Sequence, residues 1–117
     1  SKVSDKIVVI EKFLDSAQSI LVGGAMAYTF LQAMGVSVGK SLVEKDKVAL
    51  AKELIVRFEA RNKKFILPID HIATRALTDT QGAIATESEN IPGDMMGVDI
   101  GPKTRKLFAE HIAKATT

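Results

Sequence analysis

The stretch "LVGGAMAYTFLQAMG", residues 21–35, decides how the chain is read. A short apolar run stops at Gly23 and Gly24, and a helical pattern begins at once. Residues without a Cβ at a strand-to-helix junction leave the main chain open, and they accept φ > 0. The helix that follows offers unpaired amide N–H groups and the positive end of its dipole. That layout suits a nucleotide. A tight turn that only lets strand and helix pack would use the same two glycines, and a short glycine motif alone does not separate the two readings.

Working outward, "SILVG" (19–23) ends in glycine and reads as a buried parallel strand. The helix after it carries Ala27, Leu31 and Met34 on one face, with Gly35 just past its end. Upstream, Ser4 is a natural N-cap with Asp5 in the first turn, and Ile7, Ile10 and Leu14 recur at helical spacing, so a helix is predicted over about 5–16. Downstream, "GVSVGKSL" reads as a loop, and "EKDKVALAKELIVRFEARN" as the clearest helix, with Val48, Ala51, Leu54, Ile55 and Phe58 on one face. "KFILPI" (64–69) is the next strand, with Pro68 near its end. Residues 71–95 alternate weakly around a "DTQG" turn and read as an irregular β-ribbon. "MGVDIG" (96–101) is a third short strand, and Pro102 opens a helix with Leu107, Phe108 and Ile112 facing inward. The order predicts an α/β fold, a parallel sheet with flanking helices in a Rossmann-like three-layer arrangement. Ligands in such sheets bind beyond the carboxyl ends of the strands, where Gly23, Gly24, Asp70 and Gly101 fall.

Bulk properties remove several function classes. The 117 residues suffice for one domain with a core, and 46% hydrophobic with 26% charged residues is ordinary for a globular protein. A net charge of +2 from 16 basic and 14 acidic residues argues against nucleic acid and acidic membranes as partners. There is no cysteine, hence no disulfide or thiolate metal site, and two histidines far apart in sequence make zinc a poor fit. No apolar run approaches a membrane span and nothing near Ser1 looks like a signal peptide, which points to a cytoplasmic protein.

Few residues carry chemistry. "KVSDK" sets Lys2 and Lys6 on either side of a helix start, where a phosphate would meet free amides and two ammonium groups; two solvated surface lysines would look the same. Asp70 ends a strand and fits either a metal or base carboxylate or the cap of a turn, and Asp99 has the same ambiguity. His71 follows in a loop, with a functional role left open, whereas His111, four residues after Leu107 on a helix, reads as a partly buried structural residue. Met95 and Met96 read as packing residues. "GVSVGKSL" is one residue short of a phosphate-binding loop and follows a helix rather than a strand.

Taken in order and at their spacing, "KVSDKI", "LVGGAMAYTFL", "VGKSL", "LPID", "MGVDIGPKT" and "FAEHIAKA" resemble phosphoglycerate kinase over the whole chain. The family enzyme is a monomeric, two-domain glycolytic kinase that moves a phosphoryl group between 1,3-bisphosphoglycerate and ADP, giving 3-phosphoglycerate and ATP, with magnesium. The resemblance implies that residues 1–117 are part of the C-terminal, nucleotide-binding domain, a single partial domain incomplete at both ends and inactive alone. It places the magnesium ligands and the 3-phosphoglycerate-binding N-terminal domain outside this segment. It also implies site residues. Lys2 and Lys6 would contact the nucleotide phosphates and act in catalysis, with Ser1 at the small position before Lys2 and Asp5 in the same motif. Gly23, Gly24 and Ala25 would form one wall of the adenosine pocket, with Ala25 where the family has a third glycine. Leu42 would lie near the adenine, and Gly97 and Val98 would form the opposite wall, where the family usually has Gly-Leu. Met95 stands where the family commonly has tryptophan. Two other readings compete: a stand-alone non-catalytic α/β module that binds a nucleotide or a protein, and a different α/β enzyme centred on Asp70 and His71.

Overall fold

In a computed structural model of the chain, residues 3–78 and 81–115 are described. In order they form α1 (Val3–Lys12), β1 (Ser19–Leu21), α2 (Met26–Ala33), a 3-10 turn (Lys45–Lys47), α3 (Val48–Ala60), β2 (Lys64–Ile66), β3 (His71–Thr74), β4 (Ile84–Ala85), β5 (Met96–Ile100) and α4 (Pro102–Ala115). The chain divides into two units, Ser1–Val36 with Leu42–Leu67, and Ser37–Ser41 with Pro68–Thr117.

The first unit is the α/β part. β1 and β2 pair in parallel, Ser19 opposite Lys64 and Leu21 opposite Ile66, and the Val22 amide extends the ladder to the Ile66 carbonyl at 3.0 Å. The three helices bury their apolar stripes together: Ile7, Ile10 and Leu14 near α1, Ala27 and Phe30 on α2, and Ala51, Leu54, Ile55 and Phe58 on α3. Phe65 of β2 stacks between Phe30 at 5.1 Å and Phe58 at 5.4 Å, an edge-on arrangement in the second case. At the rim, Arg57 pairs with Glu11 at 3.2 Å and Arg61 pairs with Asp15. α3 ends where Asn62 takes a φ of 58° and the Lys63 amide returns to the Phe58 carbonyl at 3.0 Å.

The spacing of buried residues matches the helical pattern, but three details differ from expectation. α1 already includes Val3, so Ser4 lies inside the helix rather than capping it. Met34 is exposed, because α2 ends at Ala33 and the residue after it has left the buried stripe. Ile112 is exposed as well, whereas Leu107 and Phe108 are half-buried.

The second unit holds the largest departure. Met96–Ile100 is a strand, as expected, but it does not join the parallel sheet. β5 pairs antiparallel with β3, and β3 pairs antiparallel with β4, in the order β4-β3-β5. The ribbon expected over 71–95 is present and recruits β5. The register of β3 on β5 passes from Ile72–Asp99 to Ala73–Gly97, so Val98 is the extra residue of a β-bulge.

The free side of β5 is covered by the loop 37–41. The Lys40 amide donates to the Met95 carbonyl at 2.7 Å, the Ile91 amide to the Ser37 carbonyl at 2.8 Å, and the Ser37 amide to Asn90 Oδ1 at 3.0 Å. The approach is close because Gly39 has no side chain. A Cβ there would lie 2.3 Å from the carbonyl oxygens of both Pro92 and Met95, and φ is +58°. Gly39→Ala is therefore expected to destabilise the fold by about 2–5 kcal/mol, from a left-handed backbone penalty of about 1–2 and overpacking of about 1–3. Gly93→Ala is the control, since a Cβ at Gly93 meets nothing within 4 Å. Chemical denaturation of the two variants checks this; equal midpoints would contradict it.

Candidate functional site

In the first unit, β1 delivers the chain to the glycine junction. Of the pair, Gly24 takes the positive φ, 73°, and the Ala27 amide closes the turn onto its carbonyl at 3.1 Å. A Cβ on Gly24 would meet nothing within 4 Å, and Gly24 and Ala25 are exposed. No side chain caps α2; the Ala27 and Tyr28 amides turn back onto the Gly24 and Ala25 carbonyls. Beside the junction runs a groove of about 460 Å³ with an apolar floor that includes Val9, Phe13, Ile20, Val22 and Met26. Lys6, exposed in the opening turns of α1, stands on the same groove. The fold thus brings Lys6 to the residues that flank Gly23–Ala25. Asp5 falls in the first turn of α1, and Ser1 and Lys2 lie outside the described residues. Leu42, also of this unit, is 81% exposed.

In the second unit, Gly97 and Val98 sit on β5 at the bulge, with Val98 exposed. The Gly97 amide donates to Ser41 Oγ at 2.9 Å, and Ser41 is buried. Met95 is buried beneath the strand start, as expected of a packing residue.

Asp70 and His71 are both buried, at 1% and 0% exposure. Each is tied into the framework. The Asp70 carboxylate accepts the Thr104 amide at 2.8 Å and the Lys103 amide at 3.0 Å, and Thr104 Oγ1 lies 2.6 Å from its Oδ1. The same hydroxyl oxygen accepts the amides of Ile69 and Asp70, at 3.0 and 3.1 Å. Asp70 therefore caps α4, more than thirty residues away, rather than its own turn. Burial pushes its carboxyl up, but the Thr104 hydroxyl, the two amides and the Lys103 charge together outweigh this and hold it below the usual range. The His71 amide donates to Thr86 Oγ1 at 2.9 Å, and its ring Nε2, 2.9 Å from the Glu89 carbonyl, carries a proton to donate. Burial lowers its basicity more than the Glu89 carbonyl and the charges of Asp70 and Glu89 raise it, which favours the neutral ring. Neither side chain is presented to a substrate. Asp99 makes a surface pair with Arg105 at 3.4 Å and accepts the Ile100 amide at 2.8 Å. His111 is half-buried on α4.

The family profile described as Phosphoglycerate kinase matches residues 1–117. The chain belongs to the phosphoglycerate kinase family. It is 56% identical over 117 residues to the phosphoglycerate kinase of Bdellovibrio bacteriovorus, and 48% identical to that of Clostridium botulinum; it is covered completely in both cases and spans 29% of each relative. Among solved structures it is similar to the phosphoglycerate kinase of Coxiella burnetii, with a TM-score of 0.88 at 35% identity, covering 99% of this chain and 30% of that one. The enzyme of Pyrococcus horikoshii matches with a TM-score of 0.77 at 26% identity, covering 97% and 30%. The α/β fold, a parallel sheet with flanking helices, is shared with these structures.

Membership disfavours the reading as a stand-alone module, and the burial of Asp70 and His71 removes the reading as an enzyme centred on them. Where the phosphoglycerate kinase pattern has a third glycine, the exposed Ala25 adds its methyl to solvent rather than to the core. Sequence reasoning missed Ser41 and the bulge at Val98. Nothing local marks a serine whose partner lies 56 residues on. The prior sign was Leu42, which follows it in "GKSL" and which the resemblance places near the adenine.

Proposed function

We propose that this chain contributes part of the ADP/ATP site of a cytoplasmic, glycolytic and monomeric phosphoglycerate kinase, which transfers a phosphoryl group from 1,3-bisphosphoglycerate to ADP and back. Within that enzyme, residues 1–117 belong to the nucleotide-binding domain. The observation that carries the reading is the junction at Gly24: open main chain and an uncapped helix start, with Lys6 on the adjoining groove. Gly23, Gly24 and Ala25 give the adenosine a surface with little side chain in the way. Leu42, Gly97 and Val98 are the further apolar contacts, and the two large ones are exposed. Lys6, with Lys2 and the neighbouring Ser1 and Asp5, attends the phosphates.

Phosphoryl transfer asks for positioning and charge stabilisation rather than covalent help from the protein. Lys6 and Lys2 supply mobile point charges that neutralise the transferred phosphoryl and the β-phosphate as charge shifts between them. The chemistry a bound magnesium ion would supply is neutralisation of phosphate charge beside these lysines. The ligands of the ion are assigned to other parts of the enzyme, as the family resemblance implies. The 3-phosphoglycerate is assigned to the other domain of the family enzyme. No helix among the described residues is long and apolar enough to cross a membrane.

Ala25→Leu in the whole enzyme tests the reading. Ala25 is exposed and has an ordinary helical φ of −60°, so the larger side chain strains nothing in the fold. The KM for ADP is expected to rise about tenfold or more, the scale of a small steric misfit in a binding site, with the KM for 3-phosphoglycerate unchanged. The isolated 117 residues should show no kinase activity and no micromolar binding of ADP in calorimetric titration. An unchanged nucleotide KM in the variant would refute the placement of the adenosine.

A further inference from the structure

We propose that Ser41 is a positioning residue for nucleotide binding, which acts by holding the Gly97–Val98 bulge in place through the Gly97 amide. This rests on the reading of Gly97 and Val98 as nucleotide contacts.

A bulge leaves one residue without a cross-strand partner and locally loosens the ladder. Val98 is that residue here, and it is 44% exposed. A bulged strand end needs some other restraint to present a side chain in one direction. β3 occupies one side of β5, and the loop 37–41 supplies the restraint on the other. Two adjoining bonds do this. The Lys40 amide donates to the Met95 carbonyl at 2.7 Å, and the Gly97 amide donates to Ser41 Oγ at 2.9 Å. The second continues the first as a strand partner would, with a side-chain oxygen in place of a carbonyl.

The serine is itself fixed. It is buried, its amide donates to the Val38 carbonyl at 3.0 Å, and Gly39 is what lets the loop reach the strand. Losing the hydroxyl leaves the Gly97 amide without this acceptor at the residue beside Val98. The bulge then has fewer constraints, and Val98 samples orientations that do not contact the ligand. Part of the binding free energy is spent on selecting the right one.

The test compares Ser41→Ala with Ser41→Thr in the whole enzyme, with the KM for each substrate, kcat and the ADP dissociation constant as readouts. Ser41→Ala is expected to raise the nucleotide KM and the ADP dissociation constant about three- to tenfold, the net worth of one neutral hydrogen bond. The values of kcat and of the 3-phosphoglycerate KM should stay within about twofold, because a loosened bulge touches neither the phosphoryl group nor the other substrate. Ser41→Thr keeps the acceptor and should return the nucleotide KM to near wild type. A nucleotide KM unmoved by Ser41→Ala overturns the proposal. So does a fall in thermal midpoint in which both substrate KM values change alike, which would make Ser41 merely structural. Val98→Asp separates the two levels: if it raises the nucleotide KM while Ser41→Ala does not, the role of Ser41 fails alone. If neither variant moves it, the reading of Val98 as a nucleotide contact fails and the proposal falls with it.

Discussion

Lys6→Ala in the whole enzyme is expected to lower kcat by about a hundred- to a thousandfold, or about 2.7–4 kcal/mol in the barrier, the usual cost of removing one preorganised electrostatic donor. Three features of Lys6 motivate this. It lies in the opening turns of α1, where the helix dipole already favours an anion. It stands on the groove beside Val22 and Met26, which bracket the glycine junction. It is exposed, so its ammonium is available to a ligand rather than spent on the fold. The exposure also makes the experiment clean. Truncating an exposed lysine away from the core should change stability by no more than about 0.5 kcal/mol. A loss of rate would therefore not be a loss of folded protein. Lys6→Arg should recover only part of the rate, because the guanidinium is a rigid fork rather than a compact point charge. Lys12, exposed at the far end of the same helix, is the control, and Lys12→Ala should leave kcat within about twofold. A kcat for Lys6→Ala also within twofold would exclude a direct role.

What the sequence made legible follows from how far each signal reaches along the chain. The stripe Val48, Ala51, Leu54, Ile55 and Phe58 is periodic within one helix, and every member but the half-buried Val48 is buried. The same holds for Ile7, Ile10 and Leu14. The glycine junction is legible because strand, turn and helix start are contiguous. The direction of β5 was not. A five-residue apolar run says that a strand exists but nothing of which neighbour it takes, and the partner here is the ribbon strand β3 rather than the parallel pair. Ile112 and Met34 show the same limit at helix ends, where the pattern continues after the core has stopped. At the candidate site, Lys6 and Gly24 were found through local motifs. Ser41 was not, because a side-chain oxygen that replaces a strand partner leaves no periodicity to read. Asp70 lies between these cases. Its capping role was visible as a residue type, but its true partners are the amides at 103 and 104.

Asp70→Ala is expected to cost about 3–5 kcal/mol of stability, since it removes several hydrogen bonds to one charged group, each worth about 1.5–3 kcal/mol, offset in part by the relieved burial of the carboxylate. The amides of Lys103 and Thr104 would lose their acceptor at the start of α4, in a site with almost no solvent access. Asp70→Asn should cost less. It keeps one acceptor oxygen, but it turns an N–H₂ toward an amide donor and removes the charge. The pH dependence supplies an independent check. The native carboxyl of Asp70 is held below the ordinary value of 3.8. A depressed native pKa means the unfolded chain binds the proton first, so the contribution is complete above the unfolded value and is lost as the pH falls through the native one. His71 adds a separate step at higher pH. Its native basicity is lowered from 6.5, so the neutral ring stabilises the fold above that value, and this contribution declines as the pH drops below it toward the depressed native value. Denaturation midpoints measured across this range should thus fall first below about pH 6.5 and again below about pH 4. In Asp70→Asn the second fall should shrink while the first remains. Thr104→Val completes the cycle. It removes the hydroxyl that binds the Asp70 carboxylate and accepts the amides of Ile69 and Asp70. Because both side chains belong to one network, the double variant should be less destabilised than the sum of the singles, by about 0.5–3 kcal/mol. Strict additivity, or an Asp70→Ala protein within about 1 kcal/mol of wild type, would show that the buried carboxylate does not hold α4 in place.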